Sequence, residues 1–349
     1  MSPLTPEALL AYIPFRVFSE SRLGALLNFC SHLYVRKGQV LLEPGSVQSH
    51  DYFLMSGEVK FEKSGEMVTP VFPYALHYKY QNQEVVRAVT DCSLFQVERD
   101  VLDRFVCWAQ VASYLDQDIA CQRQYDEKAE WMRILLQSNL FYKVSPLNLQ
   151  KIFSYMSPVP VKQGQTVITQ GEMGDCCFFI KKGTAKVTRI LQGEPEPVAL
   201  AELGIGRCVG EDALLHEALR NATVTMLSDG LLMKMDKRDF VQLLREPAVD
   251  TLMSSELDMA LQTGAVLLDV RTEEEYEYNH LTGALCMPLD LLRVKSRILD
   301  PYKLYIVYCD TDRRSKAATY LLEQQGIRAR ALLGGLNTLP PEQKQALMA

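Results

Sequence analysis

Val35-Arg-Lys-Gly-Gln-Val-Leu-Leu-Glu-Pro-Gly and Asp51-Tyr-Phe-Leu-Met-Ser-Gly-Glu-Val-Lys-Phe return 126 residues later as Val161-Lys-Gln-Gly-Gln-Thr-Val-Ile-Thr-Gln-Gly and Cys177-Phe-Phe-Ile-Lys-Lys-Gly-Thr-Ala-Lys-Val, without a gap across 27 positions. Val35, Gly38, Gln39, Gly45, Phe53, Gly57 and Lys60 are identical to Val161, Gly164, Gln165, Gly171, Phe179, Gly183 and Lys186. Glycines at three matching turn positions demand the same φ-restricted turns, and the runs between them are short and rich in β-branched and aromatic residues. The pattern predicts two copies of one antiparallel, jelly-roll-like β-roll with flanking helices. Size agrees, since 349 residues exceed one ordinary domain.

The copies diverge where chemistry is expected. After Phe61 the first copy reaches its final strand, Ser93-Leu-Phe-Gln-Val, about twelve residues sooner than the second reaches Leu231-Leu-Met-Lys-Met. The added length holds Gly210 to Val224, Gly-Glu-Asp-Ala-Leu-Leu-His-Glu-Ala-Leu-Arg-Asn-Ala-Thr-Val. Gly210 permits a close backbone turn, and Glu211 opens a short helical turn whose first N–H groups have no intrahelical acceptor. Arg220 follows ten residues after the glycine. A guanidinium and free amides suit a phosphate, while a carboxylate at the same turn suits a sugar hydroxyl. One ligand with both groups is a nucleotide.

This stretch resembles the phosphate-binding cassette of cyclic nucleotide-binding domains, in which Gly-Glu is followed by Ala-Leu and then by Arg-x-Ala-x-Val. The resemblance implies that Glu211 takes the ribose 2′-hydroxyl and Arg220 the exocyclic phosphate, with backbone amides near Ala213 and Ala222 completing the cradle. Asn221 stands where a small residue or Thr is usual, and a Thr there is associated with guanine; the ligand is read as cAMP, with cGMP the alternative. For an isolated Gly-Glu and Arg, the plain reading is a solvent-exposed arginine near a turn. Gly174-Asp175 also resembles a turn of that family, where the first copy has Gln48-Ser49. In place of the cassette the first copy carries Tyr74-Ala-Leu-His-Tyr-Lys-Tyr-Gln-Asn-Gln-Glu, and Arg87 falls inside a strand pattern. The first roll is expected to be degenerate, a packing or partner platform that binds no cyclic nucleotide.

Residues 5 to 34 read as helical, as does Arg99 to Asp126 continuing into Trp131-Met-Arg-Ile-Leu-Leu, a connecting segment that is either a relay or a static spacer. Asp239 to Arg245 gives a short helix ending before Pro247. The absence of a following helix-turn-helix argues against a transcription factor of the catabolite-activator type. Composition, 48% hydrophobic and 23% charged, reads as soluble and globular, and no apolar run is long enough to span a bilayer. The N-terminus lacks a basic start and an apolar core, which places the protein in the cytoplasm. A net charge of −6 excludes a broad basic field for nucleic acid. Nine cysteines, without Cys-x-x-Cys spacing, form neither a disulfide framework nor a zinc ribbon, and no metal or cofactor is expected.

Past Ala248 strands and helices alternate: Ala265-Val-Leu-Leu-Asp-Val, a charged helix, Leu304-Tyr-Ile-Val-Tyr-Cys, Arg314 to Gln325, then Ala331-Leu-Leu. Such strands imply a parallel α/β sheet buried on both faces, with ligands at strand carboxyl ends. Cys309 lies there, before Asp-Thr-Asp-Arg-Arg-Ser and a helix. Backbone N–H groups and a helix N-terminus at that junction favour a thiolate. Residues from about 256 to 345 resemble a single rhodanese domain in Asp269-Val-Arg271, Glu277 to Pro288, the Cys309 loop and Leu333-Gly-Gly-Leu336. The resemblance implies that Cys309 accepts a sulfane sulfur as a persulfide, that amides of residues 310 to 314 cradle it, and that Arg314 binds an anionic donor such as thiosulfate or polysulfide. Asp269 and Arg271 read as a structural ion pair. Four residues between Cys309 and Arg314, where related phosphatases need five, favour sulfur transfer over phosphatase chemistry. Asp310 and Asp312 oppose a thiolate, and 312 is commonly Gly in that family.

Three domains follow: 1–130, a degenerate cyclic nucleotide-binding-like roll with its connecting helix; 131–248, a cyclic nucleotide-binding domain; and 249–349, a rhodanese-like domain. The leading expectation is a cyclic nucleotide receptor whose second roll regulates a sulfurtransferase using Cys309 and Arg314. The alternatives are a non-catalytic receptor that docks a protein partner through its degenerate roll or rhodanese-like face, and a constitutive sulfurtransferase with remnant rolls.

Overall fold

The computed structural model describes residues 4–43, 49–78, 84–121, 131, 134–135, 148–191, 196–245, 247–340, 342–343 and 347. Residues Met1–Tyr114 and Val249–Ala349 form one compact unit, and Leu115–Ala248 a second.

The first roll begins with helices Pro6–Leu9 and Glu20–Leu27, followed by strands β1 (Cys30–Val35), β2 (Val40–Leu42), β3 (His50–Ser56), β4 (Val59–Phe61), β5 (Met67–Val68), β6 (Val86–Ala88) and β7 (Cys92–Glu98). They form antiparallel sheets ordered β1-β7-β3 and β2-β6-β4-β5. Residues 30–34, expected to extend a helix, instead pair with β7 from Cys30↔Val97 to Val35↔Cys92. Ladder pairing over six positions outweighs the helical spacing of Leu26, Leu27 and Cys30. Phe53 and Phe95 stack at 4.7 Å, with Tyr12 and Phe15 edge-on against them. Burying each ring contributes roughly 1.5–3 kcal/mol. The helix Arg99–Cys121 follows; residues 122–130 of the expected connecting segment lie outside the described residues.

The second roll contains β8 (Ser157–Val161), β9 (Thr166–Ile168), β10 (Cys176–Lys182), β11 (Ala185–Arg189), β12 (Val198–Leu203), β13 (Cys208–Val209), β14 (Thr223–Met226) and β15 (Gly230–Asp236). Its antiparallel sheets run β13-β10-β15-β8 and β12-β11-β14-β9. The repeat is reproduced in detail. β9 and β10 begin and end 126 residues after β2 and β3, and both copies carry a bulge at the same place, between Leu54 and Ser56 and between Ile180 and Lys182. An aromatic donor caps the carbonyl there in each: Tyr12 Oη reaches Leu54 O at 2.9 Å, and Trp131 Nε1 reaches Ile180 O at 3.1 Å. Gly38 (φ 83°) donates to Ala88 O, and Gly164 (φ 79°) to Met226 O, both at 2.8 Å. β15 trails β7 by 138 residues. The rise in offset from 126 to 138 confines the insertion between the fourth strand of each copy and the strand pair β6 and β14, the interval that holds β13 and the Glu211–Leu215 turn.

The C-terminal sheet contains β16 (Thr251–Leu252), β17 (Val266–Asp269), β18 (Leu285–Cys286), β19 (Tyr305–Tyr308) and β20 (Ala329–Leu332), all parallel, in the order β16-β20-β19-β17-β18. Every residue of β19 is buried, as the apolar run requires, and Cys309 follows at its carboxyl end. No helix among the described residues is long and apolar enough to cross a membrane.

Candidate functional site

In the second roll, β13 delivers the chain to Gly210, which adopts φ 87° and ψ 0° and opens the helical turn Glu211–Leu215. A Cβ at Gly210 would stand 2.6 Å from Arg220 Nη1 and 2.7 Å from Ile168 Cδ1, so only glycine leaves room for the guanidinium. Arg220 is 5% exposed. Its Nη1 donates to Gly210 O at 2.7 Å, and its Nη2 to Cys176 O at 2.6 Å and to Asp175 Oδ1 at 3.2 Å. Two backbone bonds hold its strand entry in register, Arg220 N to Glu172 O at 2.8 Å and Gly171 N to Arg220 O at 2.9 Å. The arginine is therefore a buried, oriented group rather than a surface charge, and its one carboxylate partner among the described residues, Asp175, is exposed. The Asp175 carboxyl is held below its ordinary value by the Cys176 thiol first and by Arg220 among the smaller causes.

The remaining expected residues gather around it. Glu211 is half-buried beside the Cys208 thiol, which burial pushes well above its ordinary value. Ala213 is buried, and Gly174 lies so close that a Cβ there would stand 2.8 Å from the Ala213 Cβ. Ala222 is buried at the entry to β14, while Asn221 is exposed and its carbonyl accepts Arg189 Nε at 2.7 Å. In the first roll Arg87 lies within β6, where it donates to Gly38 O at 2.7 Å and pairs with Glu62. There it holds a turn, with its side chain half-exposed.

At the end of β19, Cys309 is fully buried, with Sγ 3.8 Å from Ser315 Oγ. The loop is locked from one side by backbone: Leu336 N donates to Cys309 O at 2.9 Å and Asn337 N to Asp310 O at 3.0 Å. The expectation of a lowered thiol value is overturned, because burial first and Asp103 second push the Cys309 thiol up to about 11, against the opposing effect of Arg314. The Arg313 amide, one of those expected to cradle a persulfide, donates to Thr311 Oγ1 at 3.2 Å.

Arg314 is 2% exposed and surrounded by carboxylates. Its Nη1 and Nη2 meet Glu275 at 2.7 and 3.0 Å, Nη2 meets Asp310 at 3.1 Å, and Nε lies 3.3 Å from Asp103 Oδ1 as an ion pair without a linear hydrogen bond. Arg271 forks onto Asp269, with Nη2 at 2.7 Å, also donates to Asn279 O at 2.6 Å, and reaches Asp310 at 3.2 Å, which makes the expected structural pair part of a larger network. Burial works against both guanidinium charges, and the carboxylates outweigh it. Burial raises Asp103, by contrast, above its ordinary value despite Arg314.

Three residues of this network lie outside the sequence expectation. Glu275 carries a local signal, the capping box Thr272-x-x-Glu275, whose side chain accepts Thr272 N at 2.8 Å. Asp103 sits as a buried charge on the apolar face of the Arg99–Cys121 helix and accepts from Thr311 Oγ1. Tyr78 Oη bonds Glu275 Oε1 at 2.7 Å and Asp310 Oδ2 at 3.0 Å. Asp103 and Tyr78 come from the first roll and its helix.

Comparison with known proteins finds both kinds of domain. Residues 158–246 match the model of the cyclic nucleotide-binding domain, and residues 253–339 that of the rhodanese-like domain. The chain is 26% identical over 226 residues to the cGMP-dependent protein kinase egl-4 of Caenorhabditis elegans, covering 63% of this chain and 27% of the kinase. It is 24% identical over 234 residues to the cGMP-dependent protein kinase egl-4 of Caenorhabditis briggsae, covering 65% and 29%. It thus spans less than a third of the length of these relatives. Among solved structures it is similar to the regulatory domain of Toxoplasma gondii PKA with cAMP, at 21% identity and TM-score 0.31, covering 68% of this chain and 90% of that one. It is also similar to the Catabolite Activator Protein of Thermus thermophilus, at 29% identity and TM-score 0.28, covering 31% and 50%.

Proposed function

Because the chain carries a cyclic nucleotide-binding domain over residues 158–246 and a rhodanese-like domain over 253–339, we propose that it is a receptor for cAMP, bound in the second roll. The observation that carries this reading is Arg220, buried and aimed along the Gly210–Glu211 turn with an exposed carboxylate as its only anionic partner among the described residues. A cyclic phosphate brings a second anion to that guanidinium, and the low-dielectric surroundings strengthen the pair. Glu211 accepts from the ribose hydroxyl, and amides at the helical turn and near Ala222 complete the phosphate cradle. The similarity to cGMP-dependent kinases keeps cGMP as the competing ligand. Calorimetric titration with cAMP and cGMP tests this. One-to-one binding that Arg220→Ala abolishes is expected, and failure of both nucleotides to bind overturns the reading.

The C-terminal domain is proposed as a sulfur carrier through Cys309. The thiolate attacks the outer sulfur of thiosulfate, the sulfur–sulfur bond breaks, and sulfite leaves with its electron pair, so that Cys309 becomes a persulfide. Cyanide then takes the outer sulfur as thiocyanate and returns the thiolate. Regulation by nucleotide requires the ligand to bind two arrangements differently, by about 1–3 kcal/mol in ordinary cases. It is measured as the sulfur-transfer rate with and without saturating nucleotide, and an unchanged rate removes the regulatory part. The burial of Cys309 and the full occupation of Arg314 favour a second reading, a rhodanese-like domain retained for binding. Under it, Cys309→Ser leaves the biological function intact.

A further inference from the structure

We propose that the degenerate first roll is an intramolecular inhibitor of the Cys309 loop, with Asp103 and Tyr78 closing over the anion-binding arginine. The placement of the contact carries the argument. Of the carboxylates around Arg314, Glu275 and Asp310 belong to the C-terminal domain, whereas Asp103 comes from the helix that follows the first roll. Asp103 stands 3.3 Å from Arg314 Nε and also accepts from Thr311, so it holds both the arginine and the loop between it and Cys309. Its carboxylate occupies the Nε edge of the guanidinium, which Glu275 and Asp310 leave open. Tyr78 bonds the carboxylates of Glu275 and Asp310, and Asp100 pairs with the neighbouring Arg313. Cys107 closes the same edge, its thiol donating to Arg313 O at 3.7 Å.

Here the contact on the Cys309 loop is polar and charged, and beside it lies a cavity of about 30 Å³ lined by Asp51, Arg99, Asp103 and Arg314 and by the apolar side chains of Phe53 and Val106. That space is large enough for a water or two, and Arg99 Nη2 is a buried donor with no hydrogen-bond partner among the described residues. The first roll, which carries no such cassette, and the helix that follows it thus contact the loop after Cys309, the thiol at the carboxyl end of β19. The inhibitor role rests on reading Cys309 as a sulfur-carrying thiol only for its effect on catalysis; the closure itself does not depend on it.

The test is alkylation of the full chain by iodoacetamide, read at Cys309 by peptide mass spectrometry, in the natural sequence and in Asp103→Asn/Tyr78→Phe. The carboxamide keeps a partner for Thr311, and Glu275 and Asp310 continue to hold Arg314, so the fold is retained. Cys309 is expected to react about tenfold faster or more in the double variant, as burial and charge both relax. Cys177, fully buried in the second roll, reports general loosening. A Cys309 rate within about twofold of the natural chain, or an equal acceleration at Cys177, overturns the proposal. Faster Cys309 labelling with new thiocyanate production from thiosulfate and cyanide supports both the inhibitor and the sulfur carrier. Faster labelling without thiocyanate supports the closure and removes the carrier.

Discussion

Ser49 and Asp175 occupy the same position in the two rolls. The carbonyl of each accepts the amide that opens the following helix, Arg99 N at 2.8 Å for Ser49 and Lys237 N at 2.7 Å for Asp175. The backbone is equivalent and the side chain is not: Asp175 orients Arg220, and Ser49 has no carboxylate with which to do so. Substituting Asp175→Ser therefore copies the first roll into the second. We expect the fold to survive, because the helix-opening bond is made by backbone, and nucleotide affinity to fall about tenfold. Titration calorimetry with a thermal melt as control checks this, and unchanged affinity would show that Arg220 needs no carboxylate to hold its pose.

Arg220→Ala should do more. It removes the donor to Gly210 O, Cys176 O and Asp175 and leaves two backbone acceptors in a buried place. The apo protein should lose about 1–3 kcal/mol, and binding should weaken by roughly 2–5 kcal/mol, about thirtyfold or more. Arg220→Lys restores charge without the forked geometry and should recover only part of the affinity. Full recovery with lysine would argue that charge alone holds the phosphate.

Gly210→Ala should be as damaging to binding as either. The new methyl meets Arg220 Nη1 at 2.6 Å and Ile168 Cδ1 at 2.7 Å, and φ 87° is itself strained for a residue with a Cβ. A loss of about 1–3 kcal/mol in stability is expected from urea denaturation, with nucleotide binding reduced in step. Wild-type stability and affinity together would show that the turn can shift.

Much of this architecture is legible in the sequence because it is local. The repeat is written in turn glycines, and a turn's φ depends on its own residue, so β2 and β3 recur as β9 and β10 without a shift. The packing of Arg220 on the Gly210 turn is legible for the same reason, since Gly210, Glu211 and Arg220 lie within one short stretch. Cys30–Val35 reads as helix and folds as strand because its partner, β7, lies far along the chain. Closure of the Cys309 loop is hidden on similar grounds: Thr311 and Asp103 are 208 residues apart, and Tyr78 and Asp310 232 apart. A lone acidic residue on an amphipathic helix carries no mark of the partner it will meet. Glu275 shows the intermediate case, with a capping box visible in sequence and an arginine that is not.

Asp51 supplies a pH dependence with a definite sign. Burial alone would raise its carboxyl, but His77 Nδ1 at 2.9 Å and Arg99 Nε at 2.8 Å outweigh it and hold the value down to about 2. The folded value lies below the unfolded one of about 3.9. The ionised group therefore contributes stability above about pH 4, and that contribution is lost as pH falls through the folded value. Asp51→Asn should be less stable than the natural chain by about 1–3 kcal/mol near neutrality, with the gap narrowing between about pH 4 and 2. Urea denaturation across that range measures it, and a gap that stays constant would assign the loss to packing instead of charge.

Gly335→Ala tests whether the Cys309 loop is as rigid as its backbone bonds imply. A Cβ at Gly335 would lie 1.6 Å from Thr311 O and 2.3 Å from Cys309 O, contacts that no side-chain rotation relieves because both atoms are backbone. The loop is also tied back through Leu336 N to Cys309 O at 2.9 Å, so moving one strand of the contact moves the other. Relief requires the Leu336 and Asn337 bonds to break or the loop to leave its position. We expect a loss above about 3 kcal/mol, near the upper end for a single substitution. Nucleotide binding at Arg220 should persist, since the second roll contributes none of these atoms, while the Cys309 thiol should alkylate faster than in the natural chain. Unchanged stability with an unreactive Cys309 would mean that the 335 backbone can swing away, and that closure of the thiol is set by Asp103 and Tyr78 alone.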